Sequence, residues 1–266
     1  ASMFEGATSF NQPLQSWDTS AATWMGAMFD GASSFNQPLV QSETGWDVSG
    51  LDSYWRMFAH ATSFNRSVAS WPSGDVGYFT EMFKGATSFN QPLPQVDGKW
   101  DMSSAVQIDG MFAGTVAFQQ DLSSWDVSNV TNMDYLFADS AYNQDLSAWD
   151  VSSVTSMIGT FSGTTDFNQS IDEWNTASLT DITSMFEGAE AFNQPLVQST
   201  GHWNVSQVTQ AQHLFKGAIA FNQSLSSWDT SHFTSFYEFF ANTGAYNQSM
   251  DDFDLSGAWG IDSMFD

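Results

Sequence analysis

The chain has 266 residues, no cysteine, and 30 acidic against 5 basic side chains, for a formal net charge of −25. Nucleic acids and anionic membranes are recognised through basic patches, so this balance argues against both as partners. No run of about 18 apolar residues is present, so membrane insertion is not expected either. A hydrophobic fraction of 42% with only 13% charged residues predicts a folded chain.

A block reading M-F-x-G-A-x-x-F-N-Q recurs ten times, and the aromatic residue before its Asn-Gln pair marks each repeat. These aromatic residues follow one another at intervals of 24 to 29 positions: Phe10, Phe35, Phe64, Phe89, Phe118, Tyr142, Phe167, Phe192, Phe221 and Tyr246. A period of this size is typical of stacked repeats. Residues repeated ten times indicate architecture and an extended surface, so we predict a single repeat domain over residues 1–266 and no enzyme.

Each repeat begins with the pattern of a short strand. The aromatic residue, a Gln and a Leu-like residue fall at i, i+2 and i+4, as in Phe118, Gln120 and Leu122, and such positions share one face of a strand. This spacing predicts short parallel strands along the stack. In some repeats a proline removes one backbone N–H from the strand: Pro13, Pro38, Pro92 and Pro195.

The second half of each repeat has the spacing of a short helical turn. Val130, Met133, Leu136 and Phe137 fall at i, i+3, i+6 and i+7, an Asp or Ser precedes them as a candidate N-cap, and a Gly ends most copies. The predicted fold is therefore an α/β solenoid. We expect a right-handed stack of about ten coils of 24–29 residues, with short parallel strands, helical turns and buried Phe and Trp columns.

Three repeats are longer because four residues are inserted between the Leu-like residue and the Trp, within Val40–Gly45, Pro94–Lys99 and Val197–His202. Their Gly and polar residues predict loops that bulge from one edge of the stack. The polar residues of these loops form a candidate binding edge: Glu43, Asp97, Lys99 and His202.

The segment from Asn143 to Met157, N-Q-D-L-S-A-W-D-V-S-S-V-T-S-M, resembles the repeat of BspA-like surface proteins almost letter for letter. The resemblance covers essentially the whole chain. It implies a leucine-rich-repeat-like fold and a location at the cell surface or outside the cell, with an adhesive or unassigned role. It brings no catalytic residues.

An aspartate follows the Trp in most repeats, and stacking would bring neighbouring carboxylates to within about 5 Å of each other. Their repulsion is roughly 1 kcal/mol even in water. Backbone N–H donors at a helix N-terminus would offset it, and so would bound Ca²⁺. Capping is the favoured interpretation, since no D-x-D-x-D-G loop is present; the candidate calcium ligands are Asp126, Asp150 and Asp229. No other cofactor is predicted.

The Asn of the block recurs in nine repeats and invites two interpretations: Asn11, Asn36, Asn65, Asn90, Asn143, Asn168, Asn193, Asn222 and Asn247. It is either a sugar-binding array or a ladder of side chains that hydrogen-bond the backbone at a bend, and the ladder is favoured.

The two ends of the sequence lie at the same phase of the repeat, with Met3 and Phe4 matching Met264 and Phe265. We therefore expect end-to-end contact through these residues, or a longer array of which this chain is a segment. The function predicted is that of an extracellular structural protein that stacks into a filament or sheath. The alternative is a cell-surface adhesion module that binds a protein or glycan. Partners are expected to be further copies of the chain or other extracellular proteins and glycans.

Overall fold

The computed structural model of the chain describes residues 2–95 and 99–266. Throughout these two ranges the backbone consists of turns and isolated bridges, with no α-helix and no β-strand. The prediction of an α/β solenoid, resembling leucine-rich repeats and built from short strands and helical turns, is therefore wrong. No membrane-spanning helix is found within the same ranges.

Successive repeats lie directly on one another, joined at one position by single parallel bridges rather than by a sheet. The bridges run Ser53–Tyr78, Tyr78–Gln107, Gln107–Asn132, Asn132–Ser156, Ser156–Asp181, Asp181–Gln210 and Ser235–Gly260. We call these residues, with Trp24 at the equivalent place in the sequence, the bridge position.

The segment predicted to be helical is a series of consecutive β-turns, which we call the turn segment (residues 25–32 and their equivalents). Its N–H groups alternate between two kinds of acceptor. The Phe29 N–H donates to the carbonyl of Met57 in the next repeat at 2.9 Å, whereas the Asp30 N–H donates to Ala27 three residues back at 3.2 Å. Every second backbone group thus serves the stack, which no α-helix allows, because helical N–H groups all bond four residues back.

Left-handed backbone conformations at two places, four residues apart, keep the turn segment from becoming a helix. In one repeat they fall at Ala27, with φ of 54°, and at Gly31, with φ of 71°. The sequence pattern predicts a helix stop at this glycine. Gly31 is instead the third residue of a turn, a place where some turn types require positive φ. Other residues adopt φ of 50–59° at the two places: Ser2, Arg56, His60, Glu81, Tyr135, Asp139, Ser184, His213, Glu238, Asn242 and Ser263.

The segment predicted to be a strand pairs through side chains. The Asn65 N–H donates to Oδ1 of Asn36 in the preceding repeat at 3.1 Å, and the Asn90 N–H donates to Asn65 Oδ1 at 3.0 Å. A side-chain oxygen thus takes the place of the backbone carbonyl that would define a strand. No strand forms there for that reason.

The core consists of aromatic columns that run the length of the stack. Phe29, Phe58 and Phe83 stack at centroid distances of 5.5 and 5.7 Å, and each also lies about 4 Å from the aromatic ring of the F-N-Q motif in its own repeat. The inner members of the Trp column are at most 3% exposed: Trp46, Trp71, Trp100, Trp125, Trp149, Trp174, Trp203 and Trp228. The predicted burial of the Phe and Trp columns is confirmed for the inner repeats.

The indole N–H of the Trp column is bonded across the stack. Trp149 Nε1 donates to the carbonyl of Leu122 in the preceding repeat at 2.9 Å, and Trp174 Nε1 donates to Leu146 in the same way. Buried indoles need such a partner. Trp46 and Trp203, which both follow an insertion, have none among the described residues.

Candidate functional site

The residues predicted to make end-to-end contact lie at the two open ends of the stack. Met3 is 63% exposed and Phe265 is 57% exposed. Phe4 and Met264 are partly buried against the core, and the Phe4 ring stacks on Phe29 at 5.5 Å. The apolar columns therefore continue to the outermost rings.

Complementary backbone groups remain open at the two ends. Inside the stack, the N–H of each turn-segment Phe donates to the next repeat, and the Phe240 N–H reaches the carbonyl of Met264 at 2.8 Å. In the ranges that the structure describes, the equivalent N–H of Phe265 has no acceptor, and the carbonyl of Met3 accepts no hydrogen bond. One end thus offers the donor and the other the acceptor of the same bond.

The Trp column and the Asn ladder also end with unused hydrogen-bonding groups, but in a different register. No hydrogen bond within the described ranges involves Trp17 Nε1, although the inner Trp residues donate to the Leu-like residue of the preceding repeat. Met250 occupies that Leu-like position at the other end, and among the described residues its carbonyl accepts only the Phe253 N–H. Asn247 Oδ1 accepts no bond from any described residue, unlike each inner Asn. Because Phe265 already stacks on Phe240 at 5.5 Å, a copy added on Phe265 would hold its Trp17 and Asn11 one layer too far from Met250 and Asn247 to bond them.

The insertion residues do not form one site. Glu43, Lys99 and His202 belong to three loops separated by intervening repeats, and Asp97 lies outside the described residues. His202 Nδ1 lies 2.8 Å from Glu173 Oε2, so its imidazole faces one of the chain's own carboxylates. Sequence reasoning missed the glutamine that closes the first loop, where Gln41 Oε1 accepts the Val48 N–H at 3.1 Å.

The aspartate column makes Asx turns rather than helix caps. Asp150 Oδ1 accepts the N–H of Ser152 at 3.0 Å, and Asp229 Oδ1 accepts that of Ser231 at 3.2 Å. Hydrogen bonds lower the pKa of both carboxyl groups, with the Ser hydroxyl as the larger cause and the Ser N–H as the smaller one. Asp126 accepts the Ser128 N–H at 3.1 Å in the same manner.

The three candidate calcium ligands are not brought together. Asp126 and Asp150 occupy neighbouring repeats, but two repeats lie between the repeat of Asp150 and that of Asp229. Within residues 2–95 and 99–266 no group of three or more acidic or His side chains is placed to hold a metal ion. Calcium binding stays a prediction.

The Asn column forms the expected hydrogen-bonded ladder. Asn168 Oδ1 accepts the backbone N–H of Asn193 and the side-chain amide of Gln194, both at 3.0 Å. The pattern repeats along the stack, with Gln119 in place of Asn at one step. Because the amide oxygen is used inside the stack, the column has a structural role, and the sugar-binding interpretation loses its principal acceptor.

Ion pairs between repeats lie beside the turn segment. Arg56 bridges Asp30 at 2.8 Å and Glu81 at 2.6 Å, and Lys84 also contacts Glu81. Lys216 joins Glu187 and Glu238 farther along the stack. Three of the five basic residues of the chain are therefore engaged with its own carboxylates.

A surface groove of about 560 Å³, which sequence reasoning missed, crosses four successive repeats. Its lining comprises Trp24, Asp52, Ser53, Trp55, Tyr78, Thr80, Gln107 and Asp109. The three aromatic side chains are exposed, and the Trp24 and Trp55 rings stack at 6.3 Å. The available signal was an exception to the repeat, since the bridge position otherwise holds Ser, Asn, Gln, Asp or Gly but holds Trp24 and Tyr78 here.

Comparison with known proteins identifies a family but no role. The family described as "Mycoplasma protein of unknown function, DUF285" matches three times in tandem, over residues 1–96, 94–199 and 196–266. No curated protein and no solved structure is detectably similar to the chain. Because the three matches together extend over the whole sequence, this repeat protein belongs to the DUF285 family.

Proposed function

We propose that this protein is an extracellular structural repeat protein whose stack is lengthened end to end by further repeats, from the same chain or from a second copy. The observation that carries the proposal is the complementarity of the two open ends. Phe265 offers a backbone N–H and an exposed ring where Met3 offers a carbonyl and an exposed side chain.

The Phe column supports the same mode of extension. The Phe4 ring continues a column whose members stack at 5.5 to 5.9 Å. A head-to-tail contact of this kind builds a filament unless its rotation closes a ring.

The extracellular location rests on the resemblance to BspA-like surface proteins. The excess of 30 acidic over 5 basic residues is compatible with it, because high net charge keeps an exposed protein soluble in a salty medium. The family description names no role, so the structural function is supported by the geometry of the ends.

Sedimentation velocity over a range of concentrations tests end-to-end association of the 266-residue chain. Wild-type protein is expected to form larger species as concentration rises, and Met3→Lys or Phe265→Lys to keep it monomeric. The matched control is Tyr135→Lys, because Tyr135 is 50% exposed, nearly as much as Phe265 at 57%, but lies in an inner repeat.

Two outcomes would contradict the proposal. One is wild-type protein that stays monomeric at every concentration. The other is equal dissociation by Tyr135→Lys, which would indicate side-by-side contact through lateral surfaces instead of stacking.

A further inference from the structure

The aromatic side of the groove depends on a glycine that leaves space for the Trp24 ring. A Cβ atom on Gly26 would lie 2.4 Å from the Trp24 indole, so the ring occupies space that any other residue would fill. Trp24 in turn stacks on Trp55, and Tyr78 adds a third exposed ring one repeat farther along. Aromatic side chains exposed together in a concave surface are typical of a binding site rather than of a bare stack.

The groove carries two carboxylates that the chain does not neutralise. The Asp52 carboxylate makes no hydrogen bond and no ion pair with any described residue. Asp109 accepts a hydrogen bond from Thr80 Oγ1 at 2.9 Å. Burial, with the nearby carboxylates of Asp134 and Glu81, raises the pKa of Asp109, a sign of missing counter-charge.

Two basic residues in the repeats that the groove crosses are engaged elsewhere. Arg56 pairs with Asp30 and Glu81, and Lys84 pairs with Glu81, so neither reaches Asp52 or Asp109. The Arg56 guanidinium nevertheless lies 5.6 Å from the centroid of the Trp55 ring. The edge of the groove thus already shows the distance at which a cation is attracted to an indole face.

We propose that the groove binds arginine or lysine side chains on a basic segment of a partner protein. Trp24, Trp55 and Tyr78 would contact the alkyl stem and the cationic group, and Asp52 and Asp109 would pair with its charge. The net charge of −25 attracts such a segment over longer distances. A neutral glycan would also stack on the rings, but it would leave both carboxylates without counter-charge.

Titration calorimetry with a capped Arg-Gly-Arg-Gly-Arg peptide tests the proposal at physiological salt. The same peptide with citrulline in place of arginine removes the charge but keeps the shape, and chitotriose represents a neutral glycan. We expect the arginine peptide to bind and the other two ligands to bind at least about tenfold more weakly, a difference of roughly 1.4 kcal/mol.

Substitutions by residues that other repeats carry at the same positions show whether the peptide binds in the groove. Trp55→Thr and Tyr78→Ser place residues that other repeats hold at the same positions, such as Thr183 and Ser156, and Asp52→Asn with Asp109→Asn removes the two charges. Each is expected to weaken binding about tenfold. The control, Asp126→Asn with Asp150→Asn, removes the same charge from positions where Asn175 and Asn204 stand in other repeats, and should leave binding unchanged.

Binding that weakens equally in the control would mean diffuse attraction to an acidic surface and would overturn the proposal. Equal binding of the citrulline peptide, preferential binding of chitotriose, or no binding of the arginine peptide would overturn it as well. Melting curves of each variant show whether it is folded. The proposal is independent of end-to-end association, since Tyr78 and Asp109 lie in inner repeats.

Discussion

Trp149 and Trp17 occupy the same place in the repeat but different places in the stack. Trp149 is 3% exposed, lies between Trp125 and Trp174, and donates its indole N–H to Leu122. Trp17, at the open end, is 38% exposed and donates no such bond to any described residue. A repeat therefore acquires its stability from its neighbours, so the same residue contributes differently to the free energy of unfolding at different places in the stack.

The largest expected difference between the two regions comes from truncating these two indoles. Trp149→Ala should lower the free energy of unfolding by about 3–5 kcal/mol, because it opens a cavity between two stacked rings. Trp17→Ala should cost about 1 kcal/mol, because much of its surface already contacts water. Chemical denaturation measures both, and equal losses would contradict the dependence on neighbours.

A smaller difference is expected in the Asn ladder. Asn168→Ala leaves the Asn193 N–H without its acceptor, and the Gln194 amide keeps only the backbone carbonyl of residue 168, so the change should cost about 1–3 kcal/mol. Asn247→Ala, at the end of the ladder, should change stability by less than ~0.5 kcal/mol. Denaturation midpoints of the two variants decide the matter, and a costly Asn247→Ala would mean that a neighbour covers that end in solution.

Salt should raise stability by a smaller amount, because carboxylates follow one another along the whole stack. Hydrogen bonds from Ser lower the pKa of Asp18 and of Asp229, but the neighbouring carboxylates of Asp47 and Asp254, respectively, oppose this shift. Screening shortens from about 10 Å at 0.1 M salt to ~3 Å at 1 M. We expect a rise in melting temperature of ~2–4 °C for each kcal/mol of repulsion removed.

Calcium chloride compared with sodium chloride at equal ionic strength sharpens this test. A larger rise in Ca²⁺ that is abolished by Asp150→Asn would demonstrate a specific metal site. Equal rises would leave screening as the whole effect, and no rise in either salt would show that the stacked carboxylates do not repel measurably.

The smallest expected effect distinguishes two tyrosines in equivalent positions. Tyr246 has a buried hydroxyl without a partner among the described residues, and burial raises its pKa to about 12. Tyr246→Phe should therefore stabilise the protein by up to about 1 kcal/mol. Tyr142 donates its hydroxyl to Gln120 at 3.4 Å, so Tyr142→Phe should not stabilise. Thermal melting compares them, and a loss of stability in Tyr246→Phe would indicate an unseen partner.

The features that sequence could predict are those that every repeat shares. The period, the burial of Phe29 and Trp149, and the Asn ladder follow from residues that recur at fixed spacing. The prediction of a helical turn was wrong because apolar residues at i, i+3 and i+7 are compatible with consecutive β-turns as well as with a helix. Positive φ at Tyr135 leaves no signal in the sequence, because Ala, Arg, Glu, Gly, His or Ser stands at the same place in other repeats.

The groove escaped prediction for the opposite reason. Residues that recur in every repeat form a visible pattern, whereas Trp24 and Tyr78 are exceptions at the bridge position and belong to no pattern. Their proximity to Asp52 and Asp109 also depends on the stacking of different repeats, which sequence spacing alone does not supply. Met3 and Phe265 belong to the common block, so their equivalence is visible in the sequence, and their end-to-end contact stays a prediction.

The insertion loops separate the length of a repeat from the spacing of the stack. Phe35 and Phe64 are 29 residues apart and their rings lie 6.1 Å apart, while Phe64 and Phe89 are separated by 25 residues and 6.0 Å. Four added residues thus leave the core spacing unchanged, because they leave and rejoin the stack at one corner beside Trp46. That corner is a suitable insertion point, where foreign peptides could be displayed at chosen intervals along the stack.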